Sequence, residues 1–197
     1  MASIHRTTMM PTKLELLTGW LPKQSWYVGE TETPELVKAG GFRLDDPEGA
    51  VGIEFMVVVD ATAQEPVAYL VPMGYRGAAL EGAPGEALIG ASEHGVLGTR
   101  WIYDGVHDPV VMAQLGALLR GEAMPQHQSK SGTPDPTVTV HGTGPGGGLH
   151  DGVPSIRFSA GAVGRGRGVT ARGRGSTPIA TTAASTKTAA VMARPRA

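Results

Sequence analysis

The chain has 197 residues and 20.4 kDa, with 17 basic and 18 acidic residues, 29 glycines and no cysteine. This length fits one ordinary domain with residues to spare, since domains most often take about 100–150 residues. The lack of cysteine excludes disulfides, thiolate metal sites and a cysteine nucleophile, and it predicts a cytoplasmic protein. The first residues lack the apolar core of a signal peptide, and the longest strongly apolar run, 55–59, is too short to span a membrane. We therefore expect no membrane partner.

The charges divide the chain into two unlike parts. Residues 1–150 contain nine Lys or Arg against 17 Asp or Glu, whereas residues 151–197 contain eight against one. From residue 132 onward glycine, threonine, alanine, proline and arginine dominate, and such a composition buries too little apolar surface to offset the entropy of ordering. We predict a globular domain over residues 1–130 and a disordered, low-complexity tail over 131–197.

The first predicted element is a short helix beginning after Thr12. Thr12 and Glu15 have the spacing of a capping box, in which the hydroxyl accepts from a free backbone N–H and the carboxylate reaches back to the cap residue. Gly19 and Pro22 predict its end.

Three strands are predicted next. Residues 42–45 form a short strand, and apolar residues alternate over 51–59 with the period of a half-buried strand. Residues 67–75 follow after a short loop, which predicts an antiparallel hairpin. Glu54 lies on the polar side of this alternation, where a solvated side chain is expected.

The rest of the domain predicts one more strand and the longest helix. The stretch 80–90 is small and glycine-rich, which favours a loop with one helical turn, and residues 95–103 predict a strand. Asp108 and Pro109 suit the cap and first position of a helix that Gly121 closes. We predict an α+β fold: a small, curved antiparallel sheet with one or two helices packed on one face.

Searches for catalytic motifs are negative. The chain contains no P-loop, and its glycine clusters at 142–148 and 164–168 do not lie between a strand and a helix, as a dinucleotide site requires. Residues 90–94 approach a nucleophile elbow but lack the second glycine. We assign no catalytic, cofactor-binding or metal-binding residue and expect no cofactor.

One polar cluster, Tyr103, Asp104, His107 and Asp108, allows two interpretations. Its carboxylates and imidazole could ligate a divalent metal or pair a base with an acid. Alternatively each residue has a structural task, with Asp104 in a turn, Asp108 capping the helix and His107 filling the loop. We favour the structural interpretation.

A dense aromatic segment provides a candidate interaction surface. It comprises Trp20, Pro22, Gln24, Trp26 and Tyr27. Such a segment is either a packed loop or, where the rings are exposed, a platform for a partner or a sugar.

The same segment resembles the opening of actinobacterial maltokinases, which carry a W-L-P-x-Q-R-W-[FY]-x-G motif after a leucine-rich helix. The matching positions are Trp20, Leu21, Pro22, Gln24, Trp26, Tyr27 and Gly29. Ser25 stands where the family tends to have arginine, and Glu30 replaces a basic residue. A second match, Ile102-Tyr103-Asp104 followed by Asp108-Pro109 and a leucine-rich helix, extends the resemblance over about residues 10–122.

The resemblance implies a stand-alone relative of the maltokinase N-terminal cap, a small α+β subdomain with a cystatin-like arrangement. In the full enzymes the cap lies against a kinase that transfers the γ-phosphate of ATP to maltose in glycogen and trehalose metabolism. Kinase lobes need well over a hundred further residues. We therefore expect a non-catalytic interaction module whose partner is a kinase or another carbohydrate-metabolism enzyme. The alternative is a component of a sugar kinase or of another glucan-metabolism enzyme that acts in trans.

The tail allows a further alternative. Its arginines at 165, 167, 172 and 174 alternate with glycine, as in segments that bind single-stranded nucleic acid. No aromatic residue is interleaved to stack on bases, so a solvated tail is favoured over nucleic-acid binding. Translation of a GC-rich gene in a shifted frame would give the same composition.

Overall fold

The computed structural model describes residues 8–62, 66–141 and 155–158, and its main element is a six-stranded antiparallel sheet curled into a half-barrel. The elements are β1 (Met9–Met10), α1 (Lys13–Trp20), β2 (Leu36–Leu44), β3 (Gly52–Asp60), β4 (Val67–Arg76), β5 (Leu88–His94), β6 (Gly98–Asp104), α2 (Pro109–Leu119), β7 (Val138–His141) and β8 (Ser155–Phe158). The predicted α+β class is confirmed.

The sheet has the order β1-β5-β6-β4-β3-β2, so the predicted β3–β4 hairpin lies within it. Two boundaries differ from the predictions. The stretch 80–90 was expected to be a loop with one helical turn; the turn is present as the 3₁₀ helix Gly85–Ala87, but residues 88–90 belong to β5, which pairs with β6 around an irregularity between Leu88 and Gly90. β2 begins six residues before the predicted strand at 42–45 and includes a bulge between Lys38 and Gly40.

Each helix covers its own face of the sheet, which corrects the prediction that the helices share one face. Leu17 and Trp20 of α1 pack in one apolar cluster with Met56 of β3. Val111 of α2 packs in a second cluster with Phe55, the residue directly before Met56 on the same strand. Since successive residues of a strand point to opposite faces, α1 and α2 lie on opposite sides of β3. We call these sides the α1 face and the α2 face.

Burial on both faces makes β3 a central strand rather than the predicted half-buried one. Ile53 and Phe55 are buried on the α2 face, and Met56 and Val58 on the α1 face. Glu54, expected to be solvated, is only 3% exposed. A carboxylate in this position requires internal partners.

The predicted helix starts are confirmed, but α1 runs past Gly19, one of its two predicted end signals, and Pro22 lies in a 3₁₀ turn, Leu21–Lys23, that follows directly. Thr12 and Glu15 form both halves of the capping box at the start of α1. Asp108 caps α2 by accepting from the N–H groups of Val110 and Val111, and Gly121 follows the helix with φ of 75°. Within the described ranges, neither helix has the length and apolar character needed to cross a bilayer.

The chain past residue 120 returns to the sheet. The backbone of Gln126 exchanges two hydrogen bonds with Arg43 of β2, and Val138 of β7 is buried in the cluster on the α2 face. The boundary between residues 130 and 131 stays a prediction. Most of the predicted tail, residues 142–154 and 159–197, lies outside the described residues.

Candidate functional site

The aromatic segment begins on a buried tryptophan. Trp20 is 5% exposed, and its indole Nε1 donates to the carbonyl of Glu86 at 2.8 Å. The ring of Trp26 meets Trp20 edge-on at a centroid distance of 5.8 Å and lies 6.0 Å from the ring of Tyr69. Such aromatic contacts add packing energy beyond the buried area. Trp20 therefore holds the segment against the α1 face and contributes little accessible surface.

The end of the segment is held on β3 by a side-chain hydrogen bond. The hydroxyl of Tyr27 donates to Oδ2 of the buried Asp60 at 2.8 Å, and Oδ1 of Asp60 accepts from the N–H of Thr62 at 2.9 Å. Burial and the Asp60 carboxylate raise the pKa of Tyr27 above its ordinary value, which keeps the hydroxyl a donor. A methyl group at Gly29 would overlap the Tyr27 ring and hydroxyl. This explains why glycine ends the motif.

The five residues of the candidate surface lie together, but they are not equally accessible. Pro22, Gln24, Trp26 and Tyr27 are each partly exposed. Val28, which the sequence did not mark, is 48% exposed beside them. We define the aromatic surface as Pro22, Gln24, Trp26, Tyr27 and Val28. Its contact with a partner stays a prediction.

The Asp108 carboxylate joins a strand to a helix. It is fully buried and accepts two bonds from Arg76 of β4, from Nε at 2.7 Å and from Nη2 at 2.8 Å. The same carboxylate caps α2, and a methyl group at Gly74 would lie 2.5 Å from its Oδ2. Bidentate pairs of this kind fix geometry as well as charge. Asp108 thus has a structural role in the described chain.

The other members of the polar cluster have separate contacts. Asp104 accepts from the N–H of Val106 at 3.2 Å, and burial raises its pKa to about 6, opposed by that hydrogen bond and by His107. The hydroxyl of Tyr103 accepts from the N–H of Leu80 at 3.1 Å. These contacts are internal to the fold, and the structural interpretation stays a prediction. In the part of the chain that the structure describes, no three His, Asp or Glu side chains are grouped to hold a metal ion.

The structure adds a polar network centred on Glu54. Its Oε2 accepts from Lys13 Nζ at 2.5 Å and from the Tyr75 hydroxyl at 2.7 Å, and its Oε1 accepts from Gln128 Nε2 at 2.8 Å. Burial raises the pKa of Glu54, but Lys13 and the hydrogen bonds outweigh it and lower the pKa below its ordinary value. In the sequence, the signal that could have indicated this network is a single acidic residue within the apolar run of β3. The network ties α1 and residue 128 to the sheet.

The comparison with known protein families gives a match in this part of the chain. Residues 20–108 match the family described as the maltokinase N-terminal cap domain, and this range contains the aromatic segment and strands β2 to β6. No curated protein and no solved structure matches the chain. Residues 20–108, less than half of the chain, are therefore similar to the maltokinase N-terminal cap domain family.

Proposed function

We propose that this chain is a non-catalytic cap module that docks on a kinase of carbohydrate metabolism. The family match over residues 20–108 is the observation that carries the proposal. In the maltokinases that the sequence resembles, the cap lies against the kinase that performs the chemistry. The proposal assigns phosphoryl transfer to the partner and gives this chain a docking role.

The contacts of the buried acidic side chains support a non-catalytic role. Glu54, Asp60 and Asp108 are each at most 3% exposed, and each is bound by donors of its own fold. A catalytic carboxylate must instead reach the reacting group of a substrate. These three carboxylates are committed to holding helices and loops on the sheet.

The aromatic surface is the docking face in this proposal. Trp26 packs on Trp20 and Tyr69, so its ring is already ordered before a partner arrives, and ordering costs of association are low. Val28 adds an exposed apolar side chain next to it. Preordered tryptophans flanked by apolar residues are typical centres of interfaces.

A binding experiment with a matched control tests the docking role. The partner probe is a purified maltokinase from which its own cap has been deleted. We expect saturable binding that Val28→Asp weakens at least tenfold, because a charge would be buried at the interface. Val96→Asp places the same charge at another exposed valine, 60% accessible, in the β5–β6 hairpin and is expected to leave binding unchanged. No binding, or equal loss in both variants, would overturn the proposal.

An activity assay tests the non-catalytic part separately. The full chain alone, given ATP and maltose, glucose or glucosamine, is expected to show no ATP consumption. Turnover by the pure chain that Asp104→Ala abolishes, with cooperative unfolding retained, would establish the alternative of an enzyme component instead.

A further inference from the structure

Basic side chains are scarce in this acidic domain, and their distribution is uneven. Two of them are paired with acids elsewhere, Arg76 with Asp108 and Arg120 with Glu122. Three others, Lys13, Lys38 and Arg43, lie on the same face of the sheet as Glu54, and of these Lys13 contacts its carboxylate. We call these three residues the basic cluster.

The strand register places the cluster. Arg43 of β2 is directly opposite Glu54 of β3, and Lys38 is opposite Val58, which lies on the α1 face. Directly paired residues of adjacent strands point to the same face, so both basic side chains emerge on the α1 face. Lys13 reaches the same place from α1, with its Nζ 2.5 Å from Glu54 and 5.3 Å from the centre of the Tyr75 ring.

Glu54 does not balance the charge of this cluster. Its two oxygens already accept from Lys13, Tyr75 and Gln128. Neither Lys38 nor Arg43 forms an ion pair with an acid of the described ranges. Three cations and one carboxylate leave two positive charges, which is the charge needed to match a phosphate dianion.

The cluster is also reachable from solvent. The Lys13 side chain is 32% exposed, Lys38 is exposed and Arg43 is partly exposed. Burial lowers the pKa of Lys38, and although Glu54 opposes this, the nearby Lys13 ammonium lowers it further. A bound anion would offset the repulsion between the two ammonium groups.

We propose that Lys13, Lys38 and Arg43 form a binding site for the phosphate group of a small phosphate monoester. The Arg43 guanidinium supplies a planar set of donors suited to phosphate oxygens, and the two ammonium groups add charge from the side. This inference goes beyond docking on a kinase and does not depend on it, because the basic cluster and the aromatic surface are separate sets of residues.

Titration of the full chain with inorganic phosphate tests the site. In a phosphate-free buffer of low ionic strength we expect saturable binding with a Kd of roughly 1 mM, or about −4 kcal/mol. Amide resonances of residues 13, 38 and 43 should shift along with the binding curve. Absence of saturable binding, or shifts confined to other residues, would overturn the proposal.

Two double variants that remove the same number of positive charges distinguish binding at this site from attraction by the overall charge of the protein. Lys38→Gln with Arg43→Gln is expected to weaken phosphate binding at least tenfold. Lys23→Gln with Lys130→Gln removes two exposed lysines outside the cluster and is expected to change Kd less than twofold. Equal weakening in both would indicate bulk electrostatics and refute the site. If the double variant does not fold, the single variant Lys38→Gln is measured instead. It is expected to weaken phosphate binding severalfold, and an unchanged Kd would refute the site.

A third comparison identifies the ligand class. Glycerol 3-phosphate is expected to bind at least as tightly as inorganic phosphate and to shift the same amides, whereas glycerol is expected not to bind. Binding of inorganic phosphate without binding of the monoester would refute the assignment to a phosphate monoester.

Discussion

Replacing Asp108 by asparagine separates the two structural tasks of this carboxylate. Asparagine caps helices about as well as aspartate, so the start of α2 should persist. The ion pair with Arg76 is lost, and in one orientation an amide N–H faces Arg76 Nε where an acceptor stood at 2.7 Å. The loss of folding stability caused by Asp108→Asn therefore measures the loss of the Arg76–Asp108 ion pair.

The structure sets the magnitude of this cost. Breaking a fully buried ion pair destabilises a protein by about 3–5 kcal/mol, because one charge is left buried. Asp108 is fully buried, but the Arg76 side chain is 21% exposed and can be partly hydrated, which lowers the expected loss to about 2–3 kcal/mol. Asp108→Ala also removes the cap and should cost about 1 kcal/mol more.

Equilibrium urea unfolding of the native chain and the two variants measures both costs. Glu122→Gln breaks the Arg120–Glu122 pair, whose side chains are 59% and 58% exposed, and it is expected to leave the midpoint unchanged. If Asp108→Asn were as mild as Glu122→Gln, the assignment of Asp108 as a buried structural ion would be wrong. If Asp108→Ala cost no more than Asp108→Asn, the cap would contribute nothing.

Two further predictions follow from burial and close packing. Burial raises the pKa of Asp104 from 3.8 to about 6, so its favourable contribution is complete below about pH 4 and is lost as the pH rises through 6. Asp104→Asn should therefore stabilise the fold by up to about 3 kcal/mol above pH 7 and by little at pH 4, and a difference independent of pH in urea unfolding would refute this. Gly29→Ala should destabilise by about 1–3 kcal/mol in the same assay through overlap with Tyr27. Gly19→Ala, which meets nothing within 4 Å on α1, should stabilise by up to about 1 kcal/mol, and the reverse order would contradict the packing.

Local signals in the sequence predicted the elements whose causes are themselves local. The capping box of Thr12 and Glu15 and the cap at Asp108 depend on residues within four positions, so both helix starts could be located. The β3–β4 hairpin was predicted because both strands are apolar and a short loop joins them.

The missed features depend on contacts between distant residues. β5 contains small residues and a glycine because α1 approaches it closely, and a methyl group at Gly90 would lie 2.6 Å from the Leu16 side chain. Small, glycine-rich composition therefore extended the predicted loop over residues 88–90, where the structure already has a strand. Glu54 was expected in solvent because the alternation of β3 does not reveal that α1 covers its second face. Its partners Lys13 and Gln128 lie 41 and 74 positions away.

The candidate surface shows why a family motif alone does not reveal a binding role. Three residues that match the family motif have tasks inside the fold: Trp20 is buried, Tyr27 binds Asp60, and Gly29 leaves room for Tyr27. A chain that kept this motif for folding alone would still need these three residues. The motif by itself therefore does not indicate what the chain binds. Residues that do not support the fold are more informative about recognition, and Val28 is the exposed example within the segment. For this reason the charge at Val28, rather than truncation of Trp26, separates docking from folding.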